Sequence, residues 1–281
     1  MSVKIIVDST ADVSPRIAKR LTVVPLTIRF GDQEYIDGVT ITQKEFYEKL
    51  IESDVIPSTS QANIDDFDSV FSRIVENGDT AVVITLSSKL SGTYNSARIA
   101  AEDHPEKIFV VDSLSVAIGT GILAEVALSL AEDGCTAEYI AEYIETEKSR
   151  IKVIAMFDTL EYLKRGGRIS KAAAIAGGLL AIKPVVTLVD GEITILGKAR
   201  GSKQANNFLA KTIEESGGID FKKPLLLGYT GLSDLTLQKY IEDSAYLWED
   251  HLDRLESALI GSVVGTHAGP GAIAVAFFIN D

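Results

Sequence analysis

TAVVITLSSKLSGTYNSARIAAE, residues 80–102, is the stretch that decides the fold class. Its first seven residues are mostly apolar and rich in β-branched side chains, which reads as a buried strand. Residues 91–102 read as a helix. A strand that runs through a short polar turn into a helix is half of a βαβ unit. The same alternation continues on both sides. VKIIVD (3–8) is a strand, and a helix is expected after it with Ser14 as N-cap and Pro15 at the first helical position. LTVVPLTIRF (21–30) is a strand interrupted by Pro25, hence an edge or irregular strand. Thr42 opens a capping box with Glu45 and a helix to about Ile51. Asn63 caps a second helix that ends near Asn77-Gly78. IFVVD (108–112) is a strand, followed by helical patterns from about Leu114 to Glu132 and from Thr136 to about Ser149. VIAMF (153–157) returns to strand.

Beyond this point the pattern changes. SKAAAIAGGLLA (170–181) reads as a small-residue helix suited to close packing. PVVTLV and EITILGK flank Asp190-Gly191, a strong hairpin signal. Ser202 is expected to cap a helix to about Ser216, and Ser233 another through Leu247, with PLLLGYT (224–230) as the strand between them. LIGSVV and AIAVAFFI are expected to close the chain as strands joined by a glycine-rich turn. The expectation is an α/β protein of two units, with parallel sheet in residues 1–155 and mixed sheet in 156–281.

At 281 residues the chain has ample length to bury a core. Apolar residues make up 46% and charged residues 24%, a globular balance that excludes disorder as the main state. The net charge of −13 argues against a nucleic-acid or anionic-membrane binder. The charge is unevenly spread. Residues 164–203 hold eight basic side chains against Asp190 and Glu192, a surplus of +6. The remainder holds 19 basic and 38 acidic, or −19. So concentrated a basic run points to an anionic ligand or an acidic partner surface, or is a solvated face. The single Cys135 allows no internal disulfide, and a reducing, cytoplasmic setting is expected. His104, His251 and His267 are too scattered for a multi-histidine metal centre, and no metal is expected. Ser257–Asn280 carries no formal charge and is long enough to span a membrane. His267 and the glycines in its middle argue instead for buried strands, with no stable membrane insertion and a tail anchor as the alternative.

No P-loop, zinc-protease or nucleophile-elbow motif occurs. Gly119-Thr-Gly-Ile-Leu-Ala124 matches a dinucleotide pattern, but it falls inside a helical stretch and reads as close helix packing. Three loops could carry chemistry. In SSKLSGTYNSA (87–97), Ser91, Gly92 and Thr93 stand at a helix N-terminus, where free N–H groups and hydroxyls favour an anion. Ser91 could equally be an ordinary cap. PSTSQAN (57–63) clusters Ser58, Thr59 and Ser60 before a helix, as a donor site or as a polar connector. GTHAGPGA (265–272) surrounds His267 with small residues, as a ligand contact or as a satisfied core histidine. VDSTAD (7–12) could hold Mg²⁺ or an anion, or simply supply caps and turns.

VDSTADVS, PSTSQ, SSKLSGTYNSA, VVDSLSVAIGTG, TLEYLKRGGRIS, IKPVV, KARGSKQA and GTHAGPGAIAVAF occur in this order. That ordered set resembles the DegV family, the fatty-acid-binding proteins that include the FakB subunits of bacterial fatty acid kinase. The likeness covers nearly the whole chain. One departure is Gln61-Ala62, where the family commonly has Gln-Pro, which bears on loop rigidity. The resemblance implies two α/β domains with a long-chain fatty acid buried between them and no further cofactor. It implies that Thr59 and Ser91 hydrogen-bond the carboxylate, helped by the Gly92 and Thr93 backbone, with His267 beside the same head group and Ser60 among the ligand-binding residues. It associates Arg168, Lys171 and Arg200, with Lys203 nearby, with the head-group side and with docking of an ATP-binding kinase subunit. The chain itself would then be a carrier, not a catalyst. The competing reading is an enzyme acting on a small phosphorylated or carboxylated metabolite, with His267 as acid/base.

Overall fold

The computed structural model describes residues 2–169, 182–248 and 250–280. The expected helix 170–181 and Lys171 therefore lie outside the described residues.

The first strand, β1 (Val3–Asp8), buries its last four residues at the centre of a parallel sheet. The strand expected at 21–30 breaks at Pro25 into two pieces that join different sheets. β2 (Thr22–Val24) pairs parallel with β1, while β3 (Thr27–Phe30) forms an antiparallel sheet with β4 (Gln33–Ile36). α1 (Gln43–Glu52) starts at the Thr42/Glu45 capping box, with both reciprocal bonds made. β5 (Ser58–Ser60) adds to the other edge of β3, giving the order β4-β3-β5. α2 (Ile64–Glu76) carries the second capping box, Asn63/Asp66. β6 (Thr80–Thr85), α3 (Thr93–Ala101) and β7 (Ile108–Asp112) complete the parallel sheet, β2-β1-β6-β7.

α4 (Ile118–Glu132) is apolar around almost its whole circumference, the mark of a helix buried on all sides. It touches β1 and β6 of the parallel sheet and also β8, β11 and β13 of the second sheet, defined below. Its glycines permit this. A Cβ on Gly121 would lie 1.9 Å from the Asp12 carbonyl oxygen, and one on Gly119 2.4 Å from Val153 Cγ2. The G-x-G-x-x-A run is therefore a packing device. The helix starts four residues later than expected, because Leu114 and Ala117 hold positive φ in the preceding loop.

α5 (Ala137–Glu147) follows the Thr136 cap and leads to β8 (Ile151–Met156). From here every strand joins one mixed sheet, β10-β9-β8-β13-β11-β12. A short α6 (Glu161–Arg165) precedes the hairpin of β9 (Ile182–Val189) and β10 (Glu192–Arg200). Asp190 and Gly191 take φ of +50° and +82°, the geometry that makes Asp-Gly a hairpin signal. α7 (Gly201–Glu215), β11 (Leu226–Tyr229), α8 (Leu235–Asp243), β12 (Ser257–Leu259), α9 (Ser262–Ala268) and β13 (Ile273–Phe278) complete the order. Among the described residues, the only parallel pair in this sheet is β11 with β12. The parallel first sheet and mixed second sheet agree with the α/β expectation. The change of sheet falls just before Ile151, so residue 155 lies within a strand of the second.

Several local expectations are corrected. After Ser14 there is no α-helix, only i→i+3 turns and a single 3₁₀ turn at 18–20, since the chain must re-enter the sheet at Thr22. Ser202 is not a cap. α7 starts at Gly201, and the Gln204 side chain reaches back to accept from the Arg200 N–H at 3.3 Å. α8 stops at Asp243, where Ser244 donates to Tyr240 O at 2.6 Å and accepts from Trp248 Nε1 at 3.1 Å. The largest difference is at LIGSVV. Only Ser257–Leu259 is strand, and residues 262–268 are helical. Asp12 Oδ1 accepts the Gly261 N–H at 2.7 Å, capping that helix from the far end of the chain. Gly265 lets it lie against Phe46 and Tyr47, where a Cβ would be 2.5 Å from the Tyr47 hydroxyl. Tertiary packing thus overrides the β preference of Val263-Val264. Among the described residues, no helix is long and apolar enough to cross a membrane.

Candidate functional site

Three segments converge at one place: a strand of the small antiparallel sheet, the loop after a strand of the parallel sheet, and a helix that leads into the mixed sheet. β5 alternates exposure, so Thr59 turns inward while Ser58 and Ser60 face out. The loop after β6 brings Leu90 and Ser91 to the N-terminus of α3. α9 carries Val263 and His267 one turn apart, on one face. Thr59 Oγ1 and His267 Nε2 lie 2.9 Å apart in a hydrogen bond. From the segment after α6, Arg168 donates through Nε to Leu90 O at 3.2 Å and through Nη1 to Gly166 O at 2.7 Å.

These groups border a cavity of about 100 Å³ whose wall includes Thr59, Ser60, Gln61, Ser91, Arg168 and His267. Val116, Phe157, Ile193, Val264 and Ala268 line both it and a second cavity of about 70 Å³. The second cavity runs toward Val153, Gly228 and Ile273, and its surface is apolar. Together they form one largely apolar space, with the polar groups gathered on the wall of the first part and none exposed in the second. The β9–β10 hairpin closes one side. Ser87 Oγ donates to Gly191 O at 2.8 Å, tying the hairpin tip to the loop that carries Ser91.

The electrostatics favour a single negative charge. Burial, and secondarily the nearby Arg168, lower the His267 pKa to about 4, so the ring is neutral at pH 7. Its Nδ1 is buried with no hydrogen-bond partner. Arg168 has no carboxylate partner among the described residues. Among the described residues, the polar groups of the cavity wall therefore offer one guanidinium charge with neutral donors around it.

Of the residues singled out in the sequence, Thr59, Ser60, Ser91, Arg168 and His267 border the first cavity. Gly92 and Thr93 stand behind it. A Cβ on Gly92 would lie 2.0 Å from Gln61 Oε1, so the Gln61 side chain covers that glycine. Thr93 is buried, with its N–H donating to Ser91 Oγ at 3.3 Å. The N-cap of α3 is Gly92, so Ser91 stands one residue ahead of the helix, where it accepts that one N–H and forms part of the cavity wall. Arg200 and Lys203 are exposed around the start of α7, away from this cavity wall. The Asp8, Thr10 and Asp12 side chains mainly serve structure. Asp8 accepts from Thr10 and from Leu86 N, and Asp12 from Gly261 N. Among the described residues, no group of three or more His, Cys, Asp or Glu side chains is placed to hold a metal ion.

Sequence reasoning missed Gln61 as a structural strut. Its Nε2 donates to Ser96 Oγ at 3.0 Å, bracing the Thr59 strand against α3. It also missed Gly166, which packs against His267, and the apolar wall residues Phe157 and Ile193. An apolar residue on a strand carries no mark that separates cavity wall from ordinary core.

Fold and site together define an α/β protein with a buried, largely apolar cavity that is closed at one end by hydroxyls, an imidazole and a guanidinium. The family model described as "Uncharacterised protein, DegV family" matches residues 2–280. A DegV domain-containing protein of Caldanaerobacter subterraneus is 36% identical over 280 residues, covering 98% of each chain. The chain belongs to the DegV family. Among solved structures, a DegV family protein from Thermus thermophilus, described by its fatty acid binding, superposes with a TM-score of 0.87 at 30% identity, covering 99% of this chain and 100% of that one. A stearic acid-binding protein from Eubacterium ventriosum gives 0.85 at 28%, covering 99% and 98%.

Proposed function

We propose that this protein binds a long-chain fatty acid, with the carboxylate at the Thr59/Ser91/Arg168/His267 end and the chain in the apolar continuation. The observation that carries this reading is the junction, through five shared wall residues, of a largely apolar cavity that bears Thr59, Ser91, Arg168 and His267 with a second cavity that is wholly apolar. The fatty acids bound by the Thermus and Eubacterium relatives support it. The energetics are coherent. A C16 chain has about 14 methylenes, worth about 0.8 kcal/mol each, or about 11 kcal/mol before the costs of association. A buried carboxylate left unpaired would cost several kcal/mol. The Arg168 charge, the hydroxyls of Thr59 and Ser91, and the imidazole offset that cost.

In this reading the chain is a carrier organised as two α/β lobes divided just before Ile151, where the chain passes from the parallel to the mixed sheet. It presents the acyl carboxylate to a separate ATP-dependent kinase subunit, which forms the acyl phosphate. The exposed Arg200 and Lys203, in the basic part of an otherwise acidic chain, are the docking residues of this scheme. Its setting is the cytoplasm. The alternative, an enzyme for a small polar metabolite with His267 as acid/base, has less support. It leaves the apolar cavity without a role, and a histidine with a pKa of about 4 is poorly matched to proton transfer at neutral pH.

The test is direct. The purified protein is denatured and extracted with organic solvent, and the extract is analysed by mass spectrometry. A stoichiometric long-chain acid is expected, as is uptake of added palmitate or oleate by stripped protein. Absence of both refutes the proposal.

A further inference from the structure

A groove of about 590 Å³ lies where α4 and α5 meet the loops that lead into β11 and β12. It shares no lining residue with the two cavities described above. Its volume is that of a small-molecule site. Four cationic side chains line it, Arg16, Lys222, Lys223 and Arg254, against two carboxylates, Glu125 and Glu256. In a chain with a net charge of −13, a concave surface with a cationic surplus stands out.

The four cations differ in what they are free to do. Arg16 is held by Glu125 at 2.6 Å and Glu256 at 3.3 Å. Lys223 is held by Glu147 at 3.0 Å and by the Tyr143 hydroxyl at 2.7 Å. Lys222 and Arg254 are exposed and have no carboxylate partner among the described residues. The same groove is lined by Phe221 and His251, whose rings stack at 3.9 Å and 17°. It thus combines two uncommitted cations, a flat aromatic platform and two carboxylates that Arg16 holds in place.

We propose that this groove binds an organic phosphate with a planar ring, of nucleotide size. Each part of such a ligand has a counterpart on the wall. Lys222 and Arg254 take the phosphate, because charge-assisted bonds to phosphate are the strongest use of an unpaired guanidinium or ammonium. The ring stacks on the outer face of the Phe221–His251 pair, whose inner faces are already packed on each other. Glu125 and Glu256 accept from sugar hydroxyls, as acidic side chains do in ribose-binding sites. A fatty acid would gain little here, since charged and polar side chains interrupt the wall.

The test is calorimetric titration of the full-length protein with ADP, adenosine and pyrophosphate at about 0.15 M salt, where screening suppresses non-specific attraction. ADP is expected to bind with a dissociation constant below about 1 mM. Adenosine and pyrophosphate, each lacking one half of the ligand, should be weaker by about tenfold or more. The paired substitution Lys222→Ala with Arg254→Ala, both at exposed positions, should weaken ADP by about tenfold or more and leave fatty acid binding unchanged. Phe221→Ala should weaken ADP and adenosine but not pyrophosphate. The proposal is overturned if ADP does not bind at millimolar concentration. It is also overturned if ADP binds no better than pyrophosphate, or if the paired substitution leaves its affinity unchanged.

Discussion

Gly166→Ala isolates how the imidazole is held. Gly166 has ordinary negative φ, −70°, so an added methyl brings no backbone strain. Its effect is steric. The new Cβ would lie 2.0 Å from His267 Nδ1 and 2.7 Å from Cε1. Ordinary contact begins at 3.4 Å, so the ring must give way by about 1.4 Å. The bond from His267 Nε2 to Thr59 Oγ1 is 2.9 Å long and does not survive a displacement of that size in either direction. Losing it removes about 1 kcal/mol, and overpacking adds about 1–3 kcal/mol of destabilisation. Stability should therefore fall by about 2–4 kcal/mol in denaturant unfolding. Fatty acid affinity should fall about tenfold, because the imidazole leaves the head group. Gly167→Ala is the matched control. Gly167 has φ +69° and nothing within 4 Å of its would-be Cβ, so it should lose about 1 kcal/mol of stability and no affinity. The decisive measurement is the cycle with His267→Ala. Without the ring the clash is gone, and Gly166→Ala should become nearly silent in that background. An undiminished penalty there would refute the reasoning, as would unchanged fatty acid affinity in Gly166→Ala alone.

Further outcomes follow from the same geometry. Thr59→Ala and Ser91→Ala should each weaken fatty acid binding by about fivefold to tenfold, read by equilibrium titration; unchanged affinity in both would remove the carboxylate from this end of the cavity. Because burial lowers the folded His267 pKa to about 4 while the unfolded value is 6.5, the unfolded chain binds the proton more readily between those values. Stability should thus be lost as pH falls from about 6.5 to about 4, by up to about 3 kcal/mol, and His267→Gln should flatten that limb of the pH–stability curve. Asp12 has the opposite sign. Burial raises its pKa well above 3.8, so it costs stability as pH rises through the folded value, and its Oδ2 is buried without a partner. Asp12→Asn keeps an oxygen for the Gly261 N–H and should raise stability at pH 7 by about 1 kcal/mol or more; a loss in chemical denaturation would contradict this. Charge reversal at Arg200 should spare lipid binding and weaken coupling to a kinase subunit in a reconstituted phosphorylation assay; equal loss of both would contradict the division of roles.

What was legible in the sequence was what short-range physics controls. The Thr42/Glu45 box and the Asn63 cap are each complete within four residues, and both appear as read. Asp190-Gly191 selects a hairpin by φ alone. Pro25 announced a broken strand, although not that its two halves would serve different sheets. The readings that failed depend on distant partners. α9 looks like a strand by composition, and it is a helix because Asp12 caps it and Phe46 and Tyr47 receive it. The site follows the same division. Hydroxyl-rich loops and a histidine among glycines are visible as types of residue, so Thr59, Ser91 and His267 could be named. Their meeting at one point could not be derived from spacing, since Thr59 and His267 are 208 residues apart in the chain. The resemblance to the family supplied that step.

The polar end is assembled across sheets, and this bears on what the protein does with a ligand. Thr59 belongs to the small antiparallel sheet, Ser91 follows the parallel sheet, and Arg168 follows a strand of the mixed sheet. The segments that carry them are tied to one another and to neighbouring elements by few polar bonds, namely Thr59 to His267, Arg168 to Leu90 O, Gln61 to Ser96 and Ser87 to Gly191 O. A carboxylate placed among them would add charge-assisted bonds to several elements at once, so ligand binding and closure of the cavity are thermodynamically linked. A saturating fatty acid at 100 times its dissociation constant should stabilise the folded chain by about 2.7 kcal/mol. If the link runs through this end, breaking the hairpin tie with Ser87→Ala should raise the rate of fatty acid release more than it lowers unliganded stability. Stopped-flow displacement alongside unfolding of stripped protein measures both. Equal effects on the two would mean that the hairpin is a passive wall, and that the carboxylate end closes without it.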